Sequence, residues 1–102
     1  MAHQLIIAIV DKGKDIDVMN IAKAQGARGG TIMVGKGASV FEKKKLSGLN
    51  IDPEKEMVMI MTTEEKSKSI MQAISEAMQM DKPNTGVIFT LATEDVMGVI
   101  KE

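Results

Sequence analysis

Hydrophobic residues recur along the chain in two similar series. In each series an apolar run precedes an amphipathic stretch, and a glycine then leads into a second apolar run. The first runs are residues 5–10 and 57–61, and the second runs follow Gly30 and Gly86. The pattern predicts a doubled βαβ unit. In a chain of 102 residues this is the split, ferredoxin-like α+β fold, with two helices on one face of an antiparallel sheet.

The predicted strands are apolar on both of their faces. Along residues 57–61 the three methionines point to one side, and Val58 and Ile60 point to the other. Two helices cover only one face, so the other face would expose a larger apolar patch than monomers usually carry. We therefore expect a homo-oligomer whose identical subunits cover the second face. The tail, residues 95–101, is apolar enough to form a fifth strand or to hold neighbouring subunits together.

Composition narrows the class of protein. The length predicts one domain, residues 1–102. A net charge of −1, with two Phe and no Trp or Tyr, argues against a dedicated nucleic-acid binder. No apolar segment approaches the ~20 residues that span a bilayer, and no leader opens the chain, so we expect a cytoplasmic protein. The absence of Cys excludes disulfides and thiolate metal sites.

Polar residues predict where the helices begin and end. Asp15 or Asp17 would cap a first helix, which Gly26 would end. Thr62 and Glu65 have the spacing of a capping box for the second helix. The buried stripe of that second helix would consist of Ile70, Ile74, Ala77 and Met78.

The inventory of reactive side chains excludes several enzyme classes. The single histidine, His3, stands next to a terminus, so neither a Ser-His-Asp triad nor a Cys/His zinc site is expected. Carboxylates at predicted helix starts, such as Glu64 and Glu65, are favourable there without any catalytic role. We predict that the protein is not an enzyme. A small ferredoxin-like enzyme, with Glu42 or Asp52 as a base, remains an alternative.

The longest stretch without a clear period is residues 38–54. Loops of this length in a compact domain are usually functional or disordered. The stretch contains Phe41 and then Lys43, Lys44 and Lys45. Charge runs on loops are generally just solvated, but an exposed aromatic beside them would be a natural contact for a partner. These four residues are the candidate partner-binding residues.

Glycines flank a lysine at the end of the second predicted strand. From Gly30 onward the sequence satisfies most of GxxxxGK[ST], but Gly37 stands where a hydroxyl would hold Mg²⁺. The four spacer residues also have strand character, so we do not predict a phosphate-binding P-loop. Gly35, Lys36 and Gly37 still offer close backbone approach and one cation, which is a modest anion-binding signal.

The chain resembles the PII signal-transduction proteins and their PII-like relatives over nearly all of its length. The resemblance is carried by Gly30, Thr31, Lys36 and Gly37 before the long loop, by residues 53–61 where the chain re-enters the sheet, and by residues 86–89. It implies a cytoplasmic homotrimer that binds adenine nucleotides in clefts between subunits and is linked to nitrogen regulation. The long loop would be a T-loop that docks on transporters or metabolic enzymes. A regulator, and not a catalyst, is implied.

The resemblance also assigns ligand-binding residues. Those in the adenine pocket would be Thr31, Gly37 and Ile60, and those in the loop around the phosphates would be Asn84, Thr85 and Gly86. PII proteins place a lysine after that loop and arginines near the chain end, where this chain has Val87, Gly98 and Ile100. Arg and Lys supply most charge-assisted donors to phosphates. The effector is therefore left open between ATP or ADP and another nucleotide or small anion.

One functional hypothesis relates the glycine-rich segment to the long loop. Ligand binding at residues 35–37 would order the long loop and so change the affinity for a partner. The alternative within the same architecture is a trimer similar to the CutA proteins, which would bind metal ions. The lack of Cys and the single terminal histidine count against that alternative.

Overall fold

The computed structural model of the chain describes residues 2–37, 45–46, 49–50 and 54–99. Phe41, Lys43, Lys44 and most of the long loop lie outside the described residues, as does the side chain of Lys45. Within the described ranges the elements follow in the order β1 (His3–Asp11), α1 (Asp15–Ala24), β2 (Thr31–Lys36), β3 (Lys45–Leu46), β4 (Leu49–Asn50), β5 (Glu54–Thr63), α2 (Glu64–Ala77) and β6 (Val87–Ala92).

Four strands form one sheet in the order β2-β5-β1-β6, and all neighbouring strands are antiparallel. The helix α1 connects β1 to β2, and α2 connects β5 to β6. This arrangement confirms the predicted doubled βαβ unit and the ferredoxin-like α+β fold. Within the predicted long loop, β3 and β4 form a separate antiparallel pair. Strands of two residues are too short to produce a visible period in the sequence.

The hydrophobic core lies between the helices and one face of the sheet. Its fully buried members include alternate residues of the two central strands, which the register places opposite each other: Ile6 opposite Ile60, and Ala8 opposite Val58. The helices contribute the buried residues Val18, Ala22, Ile70 and Ile74.

The stripe predicted for α2 is correct in part. Ile70 and Ile74 are fully buried, and Met78 packs against the core from the helix end. Ala77 is exposed, so its assignment to the stripe is wrong, because it lies at the margin of the helix face centred on Ile74. The stripe begins instead at Ser67, whose Oγ donates a hydrogen bond to Gln4 Oε1 at 2.6 Å.

The start of α1 is capped from a distant strand. The residue before the helix is Lys14, which makes no side-chain capping bond, and Asp15 and Asp17 lie inside the first turn. Their predicted capping role is therefore wrong. The carboxylate of Glu56, on β5, accepts hydrogen bonds from the backbone N–H of Gly13 at 2.9 Å and of Asp15 at 3.1 Å. A negative group at this position also interacts favourably with the helix dipole.

The start of α2 is capped by its own neighbour, one residue later than predicted. Thr63 precedes the helix, and its hydroxyl accepts from the backbone N–H of Lys66 at 3.4 Å. Thr62 is still part of β5 and pairs with Gln4, so the capping box of Thr62 and Glu65 is wrong. The strand β5 extends beyond the apolar run at residues 57–61 and ends at Thr63. The capping residue therefore lies later in the sequence than predicted.

The sheet face opposite the helices is apolar and only partly covered. We call it the bare face. The register places on it Leu5, Ile7, Ile9, Met33, Met57, Met59, Met61, Val87, Phe89 and Leu91. Met33, Val87 and Leu91 are each half exposed, at 52%, 50% and 50%. The prediction of strands that are apolar on both faces is confirmed.

The described part of the tail, through residue 99, contains no strand. The fifth strand that the apolar tail suggested is therefore absent from this part of the chain. In the described ranges, neither helix is long and apolar enough to cross a membrane.

Candidate functional site

Two of the candidate segments lie at the same end of the sheet but on opposite edges. β2 finishes with Lys36 opposite Glu54, and β6 begins with Val87 opposite Ile9. We call this the candidate end of the sheet; β1 and β2 finish there, and β5 and β6 begin there. Three strand spacings separate the two edges, a distance of about 14 Å. Within one chain, residues 35–37 and 84–86 therefore do not form one pocket.

Thr31 and Ile60 lie away from the candidate end. Thr31 is exposed at the other end of β2, opposite Met59, about 16 Å from Lys36 for an extended strand. Ile60 as a whole has 0% exposure and belongs to the core cluster. A ligand on the surface of this single chain therefore has no access to Ile60.

One of the candidate glycines, Gly86, is required by the fold itself. Gly86 has φ +137, and a Cβ built on it would lie 2.7 Å from the carbonyl oxygen of Ile9. A Cβ on Gly37 would lie 2.9 Å from Cγ and Cε of Lys55. Gly35 is different, because in the described part of the chain no atom beyond its two neighbours lies within 4 Å of its built Cβ. Among the described residues, the glycine-rich segment is therefore least crowded at Gly35.

The turn before β6 is held by its own side chains. The Thr85 hydroxyl lies 2.8 Å from the carbonyl oxygen of Gln79 and 3.0 Å from that of Lys82, and its single hydrogen is shared between these two acceptors. Asn84 has φ 63, in the left-handed region. Because a hydroxyl has one hydrogen to donate, Thr85 would have to give up this turn contact to donate to a phosphate.

Three consecutive residues at the start of β5 form ion pairs and hydrogen bonds with the end of β1 and the turn that follows it. Glu54 Oε2 lies 3.1 Å from Lys12 Nζ, and Lys55 Nζ lies 2.6 Å from Asp11 Oδ1. Glu56 is the carboxylate that caps α1. We call these three residues, Glu54 to Glu56, the clasp. Sequence reasoning missed the clasp because its partners lie more than 40 positions away; the β1–β5 register is the signal that would have found it.

A shallow depression lies at the other end of the sheet, lined by Ala2, Thr63, Glu64 and Glu65. It contains none of the candidate residues. Among the residues that the structure describes, no three His, Cys, Asp or Glu side chains are grouped so that they could hold a metal ion.

Comparisons with known proteins identify the family. The crystal structure of Arabidopsis thaliana PII bound to citrate is similar to this chain with a TM-score of 0.72 and 22% identity, over 95% of this chain and 80% of that one. The structure of the B. subtilis GlnK–ATP complex is similar with a TM-score of 0.71 and 11% identity, over 91% of this chain and 84% of that one. No curated protein sequence matches. The family model of the nitrogen regulatory protein P-II matches residues 3–102, and the chain therefore belongs to the P-II family.

Proposed function

We propose that this protein is a regulator, not an enzyme. It would bind a small effector, and the binding would change its affinity for a protein partner. The observation that carries the proposal is the match of the P-II family model to residues 3–102. The effector would be ATP, ADP or a related small anion. The partner would be a transporter or a metabolic enzyme, with a link to nitrogen regulation.

The proposed assembly is a homotrimer in which copies of the chain cover the bare face. Exposed apolar patches of this kind mark interaction surfaces. The effector would bind between subunits. The two candidate segments, residues 35–37 and 84–86, lie on opposite edges of the sheet but at the same end. Such a placement suits a cleft to which one copy contributes its β2 edge and the next copy its β6 edge.

Within this cleft, Gly35 and Lys36 would supply open backbone and a cation for an anionic group. The backbone of Asn84, Thr85 and Gly86 would approach the same group from the neighbouring copy. Thr31 would contribute to the other end of the ligand, about 16 Å along β2. The long loop, with Phe41 and Lys43 to Lys45, would carry the contact with the partner.

Calorimetric titration with ATP, ADP, AMP, cyclic dinucleotides and bicarbonate tests the effector. We expect saturable binding of at least one of them, weakened about tenfold by Lys36→Gln, because a charge-assisted hydrogen bond is lost. Lys23→Gln is the matched control, since Lys23 is an exposed lysine on α1, and it should leave the affinity unchanged. Absence of binding by the whole panel, together with a measurable turnover, would favour the enzyme alternative.

Hydrogen exchange tests the role of the long loop. With a saturating ligand from that panel, amide exchange across residues 38–50 should slow. A ligand that binds and leaves exchange in this segment unaltered would refute the switch, although effector binding itself would stand.

A further inference from the structure

The methionines of the bare face are confined to two neighbouring strands. The central strand β5 places Met57, Met59 and Met61 on this face, and the edge strand β2 places Met33 there. The other two strands carry branched aliphatic and aromatic residues on the same face: Leu5, Ile7 and Ile9 on β1, and Val87, Phe89 and Leu91 on β6. Branched and aromatic residues are those that strands favour. Packing alone therefore does not explain why β2 and β5 carry methionine.

The strand register brings three of these methionines together. Met33 lies directly opposite Met57, and residues paired in this way have Cβ atoms about 5 Å apart. Met59 follows two residues along β5, about 7 Å from Met57 on the same face. Methionine is unbranched and has three rotatable bonds, so the three thioether sulfurs can turn toward one another. We call Met33, Met57 and Met59 the methionine cluster.

The surroundings of the methionine cluster are apolar on one side and open on the other. Across β5, the strand β1 places Ile9 opposite Met57 and Ile7 opposite Met59. On the open side, Met33 is 52% exposed, and all six residues of β2 are exposed. A cation can therefore reach the cluster from the edge of the sheet. An apolar site disfavours charge, and it tolerates one positive charge better than two.

The kind of ligand atom selects the ion. Thioethers are soft ligands that suit Cu⁺, whereas carboxylates and carbonyl oxygens suit harder cations. Within the ranges that the structure describes, no three His, Cys, Asp or Glu side chains are grouped to hold a metal. We infer that the methionine cluster is a binding site for Cu⁺, held by three sulfur atoms. The inference goes beyond the proposed function, because neither the effector nor the long loop takes part in it.

Competition for Cu⁺ with the chromophoric chelator bathocuproine disulfonate tests the inference, under anaerobic conditions with ascorbate. We expect the full chain to retain about one Cu⁺ per chain. Met33→Leu, Met57→Leu and Met59→Leu should each weaken the affinity about tenfold or more, since each removes a sulfur ligand and nearly keeps the side-chain volume. Met61→Leu is the matched control, because Met61 lies on the same face of β5 but beyond the residues that pair with β2. It should change the affinity by less than about threefold.

X-ray absorption at the copper edge then counts the sulfur neighbours, which should fall from three in the wild type to two in Met33→Leu. Loss of all Cu⁺ from the wild type to the chelator would overturn the inference, as would equal affinities in the wild type and the three variants. An equal loss in Met61→Leu would also overturn it, because binding would then follow the methionine content of β5 and not the register.

Melting curves show whether each variant is folded. If a substitution on the central strand β5 disturbs the fold, Met33→Leu on the exposed edge strand still decides the question. The effector titration of the proposed function is independent of each of these results.

Discussion

The two βαβ halves share one order of elements but differ in how their helices begin. In the second half, α2 is capped by Thr63, the residue directly before it. In the first half, the capping carboxylate of α1 comes from Glu56, which lies on β5 in the second half. The second half therefore contains the signal for its own helix start, whereas the first half depends on long-range pairing of the sheet.

The halves resemble each other where their second strands enter the sheet. A Cβ on Gly30 would lie 2.9 Å from the carbonyl oxygen of Met59, and one on Gly86 would lie 2.7 Å from that of Ile9. Each glycine thus passes over the backbone of a central strand just before an edge strand begins. Only Gly86 also has a positive φ, at +137. The repeated glycine in the sequence has one steric cause in both halves, and the cause is stronger in the second.

The largest expected effect tests that steric cause. Gly86→Ala should lower the free energy of unfolding by about 3 kcal/mol, because it adds both backbone strain and a clash with a carbonyl oxygen. Urea denaturation measures the loss. Gly35→Ala is the matched control, since none of the described residues beyond its neighbours places an atom within 4 Å of its built Cβ, and it should cost less than about 0.5 kcal/mol. Equal losses in the two variants would show that close approach is not the reason for Gly86.

The next largest effect distinguishes how the two helices are capped. Glu56→Ala should lower the free energy of unfolding by about 1 to 2 kcal/mol, since two backbone N–H groups lose their acceptor and the helix dipole loses a negative charge. Native-state hydrogen exchange should speed up at the start of α1 and not at the start of α2. Glu56→Gln keeps an acceptor oxygen and should lose less. Equal acceleration in both helices would mean that Glu56 supports the sheet and not the cap.

Much of this fold could be predicted from the sequence, because its signals are local. The side chains of β5 alternate between the two faces of the sheet, and a glycine precedes each edge strand. Both signals can be recognised within a few consecutive residues, and the structure confirms both. Asp15 was mistaken for a cap because a carboxylate in sequence looks the same whether it precedes a helix or lies in its first turn. Lys55 was missed because its role depends on the β1–β5 register.

A smaller effect tests the local cap of α2. Thr63→Ala should lower the free energy of unfolding by about 0.5 to 1 kcal/mol, at the low end for a cap, because the hydroxyl lies 3.4 Å from the backbone nitrogen of Lys66. Thermal denaturation of Thr63→Ser provides the control, since serine keeps the acceptor. The cap would be without energetic value if serine and alanine lowered stability equally.

An effect of about the same size compares the two helix ends, which share one hydrogen-bond pattern. The N–H of Ala27 bonds to the carbonyl of Ala22 beyond Gly26, and the N–H of Met80 bonds to that of Ser75 beyond Gln79.

Gly26 has φ +102, and Gln79 has φ 55 although it carries a side chain. Gln79→Gly should therefore raise the free energy of unfolding by about 0.5 to 1 kcal/mol, because relief of left-handed strain exceeds the added entropy of the unfolded glycine. Gly26→Ala, the opposite exchange at the matching position, should lower stability by about 1 kcal/mol. Urea denaturation of both variants gives the comparison. If Gln79→Gly were destabilising, contacts of the glutamine side chain would outweigh the strain, and the two helix ends would be alike in hydrogen bonding only.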